Sequence, residues 1–511
     1  MSSRINYTDE QEQVITLAKQ GYDICVRARA GTGKSSNIIG VGESTQLSGL
    51  VLVFLRNNAN ELNLKLPFNF EAQTINSLAW QNCGYVFGDR VRGRLTPKQV
   101  VDALQINKNV PKFTPYRFAS MAMKTINNFC MSADKNISEI HIPLLKKSIR
   151  SDHRGQIEDI IKHYATRLWV TLIDRDCKLS IGHDIYLKLY QLSDPTLPYD
   201  IVALDEGQDS NPVTIDIFRS QYIQKIIVGD DFQQIYAWRG AVNALDSVDF
   251  EKNCFLTKSF RFGQPIAELA TKVIQVYTGE NVSLTGNDLI ESHIIDFLNE
   301  SKPTIEICRT NTKILSKVVS LIENEPSIKI CIKKGIEEMI ALIRGMMNLK
   351  NGLHSDSIEL SSFDSWFELI EYSESGLGGD FVPLIKIINS GQVEKVISVL
   401  EKIKYIDESS ADICFVTAHS SKGMEWDHVK LGDDFPAPMF QDGEFIYPPR
   451  EEINLLYVAV TRAIRTLDIS ECFAAIFAHK GMDKNAVENT YQKFIQNRFE
   501  RLTHNETDHF P

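Results

Sequence analysis

ICVRARAGTGKSS, Ile24 to Ser36, is the stretch whose reading decides the fold. Ile24, Cys25 and Val26 form a short apolar run without polar interruption, the pattern of a strand covered on both faces. The run feeds a loop, Ala28 to Ser36, in which Gly31 and Gly33 let backbone N–H groups turn toward a phosphate. Lys34 stands where an ammonium reaches the β and γ phosphates of a nucleoside triphosphate, and Ser35 where a hydroxyl holds Mg²⁺. Ala30, Thr32 and Ser36 complete that cradle. The pattern departs from its usual form at one end, where Ala28 replaces the first glycine and Arg29 replaces a small residue. Such a loop alone says only that a triphosphate is bound.

Working outward, Thr8-Asp9-Glu10-Gln11 reads as a capping box opening a first helix, and Gly21 as its stop. Further apolar runs follow at Leu50–Phe54, Ile201–Leu204, Ile226–Val228, Thr304–Ile307, Ile413–Val416 and Leu467–Ile469. Apolar strands separated by helical stretches indicate parallel sheets with helices on both faces. The run at Ile201 ends in LDEGQD, so Asp205 and Glu206 lie at the carboxyl end of a strand, where open α/β sheets bind ligands. Asp205 suits Mg²⁺ and Glu206 suits a base for an attacking water; the bland alternative is an acidic turn. Residues 84–197 and 340–405 are helix-like and read as insertions, the second broken by glycines at 376, 378 and 379.

The chain of 511 residues is too long for one core, since single cores stop growing near about 250–300 residues. Its 43% hydrophobic and 24% charged content is that of soluble globular protein. The first residues, MSSRINYTDEQEQ, lack the apolar stretch of an export signal, and no run reaches the roughly 18 residues that span a bilayer. Nine dispersed cysteines without a CxxC pair point to reduced thiols and no structural zinc, hence a cytoplasmic protein with no membrane partner. A net charge of −11 neither supports nor excludes a nucleic-acid partner, because the charge is uneven. Arg90, Arg92, Arg94, Lys98, Lys108, Lys112, Arg117 and Lys124 face only Asp89 and Asp102 in one segment, which is either a binding patch or a solvated face.

LDEGQD is followed in order by VGDDFQQIYAWRGA (Val228 to Ala241), LTKSFRFG (Leu256 to Gly263), VTAHSSKGMEWDHV (Val416 to Val429) and LLYVAVTRAIRTL (Leu455 to Leu467). This series resembles the UvrD/Rep/PcrA group of superfamily 1A helicases, and SFRFG is similar to the F-box DNA helicase branch. The resemblance covers roughly half the chain. It implies two RecA-like P-loop domains with mainly helical insertions. The first, 1A, would comprise 1–85 and 196–255, with 86–195 as insertion 1B. The second, 2A, would comprise 256–340 and 406–490, with 341–405 as a reduced 2B-like insertion and 491–511 as a helix end and tail.

The implied cofactors are ATP and Mg²⁺. Gln11 matches the residue that reads adenine, although its simpler role is to close the Thr8 cap. Phe260 stands where a tyrosine stacks on adenine, Gln233 would sense the γ phosphate, and Arg261 and Arg462 would contact it from the second domain. Glu425 matches a glutamate near the ribose; a surface acid is the alternative. Arg462 itself lies in YVAVTRA, read as a short apolar strand-to-helix setting.

Single-stranded DNA and its junctions with duplex are the implied partners, held by base stacking on aromatic rings. Phe54, Arg56, Asn57, Asn76, Trp238, Arg239 and His419 match that track. Arg56 and Asn57 replace the usual asparagine and lysine, and Asn76 a usual histidine. The resemblance implies a helicase or translocase moving 3′ to 5′, with ATP hydrolysed at the cleft between the RecA-like domains. The alternative is an ATP-gated DNA-binding subunit of a nuclease or phage-defence complex.

Overall fold

The computed structural model describes residues 6–93, 95–107, 113–144, 151–237, 240–297, 305–325, 327–353, 360, 363, 365–374, 381–441 and 444–481. The chain divides into two compact units. One is drawn from the residues up to Ala28 and Gly33–Leu256, the other from Arg29–Thr32 and the residues from Thr257 onward. Both are α/β units built on a parallel sheet, the RecA-like arrangement.

The first unit holds strands β1 (Ile24–Ala28), β2 (Gly49–Val53), β3 (Phe70–Thr74), β4 (Ile201–Asp205), β5 (Gln224–Gly229) and β6 (Lys252–Leu256). They pair in the order β3-β2-β4-β5-β1-β6, every pair parallel. Successive strand residues point to opposite faces, so each strand feeds two cores. Ile24, Val26, Val51, Ala203 and Ile226 pack with Val14, Ile15, Ile38 and Ile39 of helices Asp9–Lys19 and Lys34–Glu43. Cys25, Leu50, Leu52, Leu204 and Ile227 pack on the other side with Phe118, Ile126, Leu187 and Tyr190, from helices of the insertion. Each Val, Leu, Ile and Phe among them contributes about 1.5–3 kcal/mol by leaving water. The first helix opens as its sequence indicates: Thr8 and Gln11 form a capping box and Gly21 takes φ 85°.

Part of the basic segment is spent on this fold. The Arg90 guanidinium donates to the carbonyls of Leu172, Asp174 and Leu179 at 2.8, 2.7 and 2.8 Å. Leu172 lies in the last turn of helix Ser151–Ile173, where carbonyls lack intrahelical partners, so Arg90 ties that helix end to the segment that follows it. Arg117 lies over the Phe113 ring, 4.3 Å from its centroid. Arg94, Lys108 and Lys112 lie outside the described residues.

The second unit holds β7 (His293–Ile295), β8 (Ile305–Cys308), β9 (Ile330–Ile332), β10 (Ile413–Thr417), β11 (Trp426–Leu431), β12 (Met439–Gln441), β13 (Glu444–Ile446) and β14 (Ala463–Asp468). A six-stranded parallel sheet runs β7-β14-β11-β8-β10-β9, and β12-β13 form a separate antiparallel pair. Helices Ile336–Lys350, Phe381–Ser390 and Val393–Ile403 share one core with Ile330 and Phe415 of the sheet through Leu342, Met346, Leu384 and Leu400. Most of the 341–405 segment thus packs on the sheet rather than apart from it, while Gly376, Gly378, Gly379 and the tail 491–511 lie outside the described residues.

The setting of YVAVTRA differs from its sequence reading. Helix Arg450–Val460 comes first and β14 follows, so Thr461 and Arg462 lie in a helix-to-strand turn. The run VAV is apolar because that helix is buried along its whole second half, which an apolar strand would mimic.

Candidate nucleotide site

In the first unit the residues gather at the carboxyl ends of three adjacent strands, β4, β5 and β1. After β1 the chain enters the loop through Gly31 (φ 75°) and Gly33 (φ 79°), both in the left-handed region that a Cβ disfavours. Gly33 is the N-cap of helix Lys34–Glu43, so Lys34, Ser35 and Ser36 form its first turn and its free N–H groups face the loop. Ala30 and Thr32 are buried, and the Thr32 hydroxyl donates to the Arg29 carbonyl at 2.8 Å, holding the loop's shape.

β4 delivers Asp205, and Glu206 then turns with φ 55°, a conformation that costs a non-glycine residue about 1–3 kcal/mol. The Glu206 N–H donates to Asp205 Oδ1 at 2.9 Å, which helps hold the turn. Lys34 Nζ meets Glu206 Oε1 at 2.7 Å. Burial works against the charged Lys34, but Glu206, Asp205 and Asp230 outweigh it and raise its pKa above the ordinary lysine value. After β5, Asp230 is fully buried and accepts from Gln233 Nε2 at 2.7 Å. Arg27 binds Asp231 at 2.5 Å and Asp246 at 2.7 Å, tying β1 to the segment that carries Gln233.

Gln11 is almost wholly buried, and its Oε1 accepts from the Thr8 N–H at 3.0 Å. Its backbone carbonyl accepts from Asn37 of helix Lys34–Glu43 at 3.1 Å.

In the second unit, Arg261, Glu425 and Arg462 meet at the amino ends of β11 and β14. Arg261 Nε pairs with Glu425 Oε2 at 2.6 Å and Nη1 donates to the Thr461 carbonyl at 3.1 Å. Arg462 is 1% exposed; it donates to the Val458 carbonyl at 2.8 Å, the Met424 carbonyl at 3.1 Å and Thr461 Oγ1 at 3.0 Å. Phe260 beside them is 42% exposed, enough to offer a face to a ligand.

Residues matched to the strand track lie at other strand ends. Phe54 follows β2, is exposed, and stacks on Tyr236 with centroids 6.0 Å apart and planes at 18°. Arg56 and Asn57 begin helix Arg56–Asn63 and are exposed. Asn76 sits in the first turn of helix Ile75–Asn82, its Oδ1 buried without a hydrogen-bond partner among the described residues. His419 lies in the short helix Ala418–Ser421 after β10. Trp238 and Arg239 lie outside the described residues.

Sequence reading passed over Asp230, Gln208 and Tyr236. The signals were present: an acid two residues past the Ile226–Val228 run, a glutamine two residues past Glu206, and an aromatic two before Trp238. Among the described residues no helix is long and apolar enough to cross a membrane, and no group of three or more His, Cys, Asp or Glu side chains is placed to hold a metal.

Two parallel-sheet units, one with a phosphate loop beside paired acids, define a P-loop nucleotide-binding protein. The sequence comparisons narrow the class. Residues 49–249 match the UvrD/REP helicase N-terminal domain and residues 384–473 the UvrD-like helicase C-terminal domain, and the chain belongs to this family. The first span holds Asp205, Glu206 and Gln233 and the second Glu425 and Arg462; the phosphate loop precedes the first, and Arg261 lies between them. The chain is similar to F-box DNA helicase 1 of Gallus gallus, at 30% identity over 94% of this chain and 50% of that protein. It is also similar to F-box DNA helicase protein 1 of Schizosaccharomyces pombe, at 28% identity over 92% and 58%. The chain therefore spans about half the length of these curated relatives. Among solved structures, "The structure of PRRSV helicase" covers 89% of this chain at 11% identity and a TM-score of 0.31, too loose a likeness to bear on function.

Proposed function

We propose that this chain is an ATP-hydrolysing DNA helicase or translocase that moves on single-stranded DNA in the 3′-to-5′ direction. The observation that carries the reading is the Lys34–Glu206 pair at 2.7 Å, with Asp205 adjoining Glu206 at the end of β4. A lysine paired with the would-be base is a site awaiting a polyanion: the triphosphate takes the ammonium, and the Glu206 oxygen is released to face water. Lys34 and the first-turn N–H groups bind the phosphates. Ser35 and Asp205 would hold Mg²⁺, which supplies charge neutralisation on the phosphate oxygens; an exposed hydroxyl and a carboxylate beside the loop fit that ion.

Arg261 and Arg462 are assigned to the γ phosphate, Gln233 to sensing it, and Phe260, Glu425 and Gln11 to the nucleoside. Hydrolysis in the cleft between the RecA-like domains then drives stepping. Residues 86–195 are assigned to insertion 1B and 341–405 to a reduced 2B, so duplex unwinding would draw on a further segment or partner. Phe54, Arg56, Asn57, Asn76, Trp238, Arg239 and His419 form the proposed strand track, in which each stacked base contributes about 1–3 kcal/mol.

The test is ATP hydrolysis with and without poly(dT), paired with directional strand displacement. Stimulation by poly(dT) with displacement from one polarity of tail is expected. A chain that binds ATP and poly(dT) but never hydrolyses would be a gated binding subunit instead.

A further inference from the structure

We propose that Gln208 is the positioning residue for the water-activating carboxylate, locking Glu206 to the end of the neighbouring strand. This rests on the assignment of Glu206 as base made above. Gln208 lies in the single 3-10 turn Gly207–Asp209 directly after Glu206, and its side chain is 0% exposed. Both ends of its amide are used. Nε2 donates to Glu206 Oε2 at 2.5 Å, and Oε1 accepts from the Asp230 N–H at 3.1 Å. The N–H it meets fixes which end is oxygen, so the amide has one orientation here.

The Glu206 carboxylate meets Lys34 and Gln208 through different oxygens, and the two contacts are of different kinds. Oε1 holds the Lys34 ammonium at 2.7 Å, a contact that an incoming phosphate competes for. Oε2 holds the Gln208 amide, a neutral buried group for which no triphosphate competes. When Lys34 turns to phosphate, the Gln208 contact still aims the carboxylate. Glu206 needs that restraint because its own backbone stands in the left-handed region, φ 55°.

The seat for Gln208 is built into β5. A Cβ on Gly229 would come within 2.5 Å of Gln208 Oε1, so a glycine is required there by close approach rather than by its φ. Because Oε1 is bonded to the backbone of Asp230, whose carboxylate accepts from Gln233, the base is wired to the assigned phosphate sensor. Glutamine is the side chain for this place: it is neutral, reaches both sites, and donates and accepts at once.

The test measures strand-stimulated ATPase of the full chain as Gln208→Met and Gln208→Glu, beside wild type and Glu206→Gln. Met keeps the length and loses both hydrogen bonds. It should lower kcat about 10- to 100-fold with KM for ATP changed less than about threefold, since orientation of the base is lost and phosphate binding is not. Glu keeps the acceptor for Asp230 N–H and can donate to Glu206 only while protonated. Its activity relative to wild type should therefore be highest at low pH and fall as pH rises, a dependence that mere loss of packing does not produce. Thermal melting and binding of a fluorescent ATP analogue verify that each variant is folded. A folded Met variant with wild-type kcat, or a Glu variant with a pH-independent deficit, overturns this role while leaving the assigned function standing. A wild-type chain with no strand-stimulated hydrolysis overturns both.

Discussion

The two units place their assigned ATP residues at opposite ends of similar sheets. In the first, Lys34, Asp205, Glu206 and Gln233 follow the carboxyl ends of β1, β4 and β5, where glycine turns and a helix start expose N–H groups. In the second, Glu425, Arg462 and Arg261 cluster where β11 and β14 begin, Arg261 held by Glu425 and the Thr461 carbonyl and Arg462 by the Val458 and Met424 carbonyls. The chemistry follows the location. A strand's carboxyl end with a phosphate loop binds anions through backbone donors, and acids can be added beside it. An arginine held by carbonyls keeps its full charge, since the partners are neutral. In the first unit Lys34 is paired with Glu206; in the second Arg261 is paired with Glu425, and Arg462 donates to the Val458 and Met424 carbonyls and Thr461 Oγ1.

That contrast can be broken in order of effect. Lys34→Ala should cut hydrolysis about 10⁴-fold or more, because phosphate positioning and charge are lost together. Circular dichroism should show the fold intact, and hydrolysis within tenfold of wild type would end the special status of the first unit's lysine. Arg261→Ala should cost about 10³ in kcat, in the range of an arginine that stabilises transferring charge. Its urea stability should fall by less than about 1 kcal/mol, since its partner Glu425 is half exposed and solvent screens the pair. Arg462→Ala should behave differently, losing about 2–4 kcal/mol in the same titration because buried carbonyls and Thr461 lose a charged donor. Equal stability losses in the two arginine variants would erase the distinction between them. Phe54→Ala should weaken poly(dT) binding about tenfold by fluorescence anisotropy, at the level of one stacked base. Unchanged binding would reduce the Phe54–Tyr236 stack to surface packing.

Most interior strands were legible because they are buried on both faces. β1, β2, β4, β5, β8 and β10 each read as an apolar run, and the structure has a strand at every one of them. Edge strands were not. β3, FEAQT, and β6, KNCFL, alternate between buried and exposed positions, and β7 and β9 have only three residues each. β11 begins with Trp426-Asp427-His428, of which Asp427 and His428 are exposed, so its apolar half is too short to declare a strand. At the candidate site, residue types and spacing pointed to Lys34, Asp205 and Glu206, which the fold brings to neighbouring strand ends. Spacing could not disclose that Gln208 and Asp230 touch, because their bond depends on β4 and β5 being adjacent. Nor could it disclose that Arg462 is enclosed by Val458 and Met424 carbonyls, since backbone acceptors leave no mark in a sequence.

The most direct test of the account is single-turnover ATP cleavage by Glu206→Gln on poly(dT), measured beside nucleotide binding. The account predicts that the variant binds ATP at least as tightly as wild type, because Lys34 loses its competing carboxylate, and cleaves it at least about a hundredfold more slowly. Cleavage at the wild-type rate with binding intact would contradict the claim that the acid beside Lys34 activates the water.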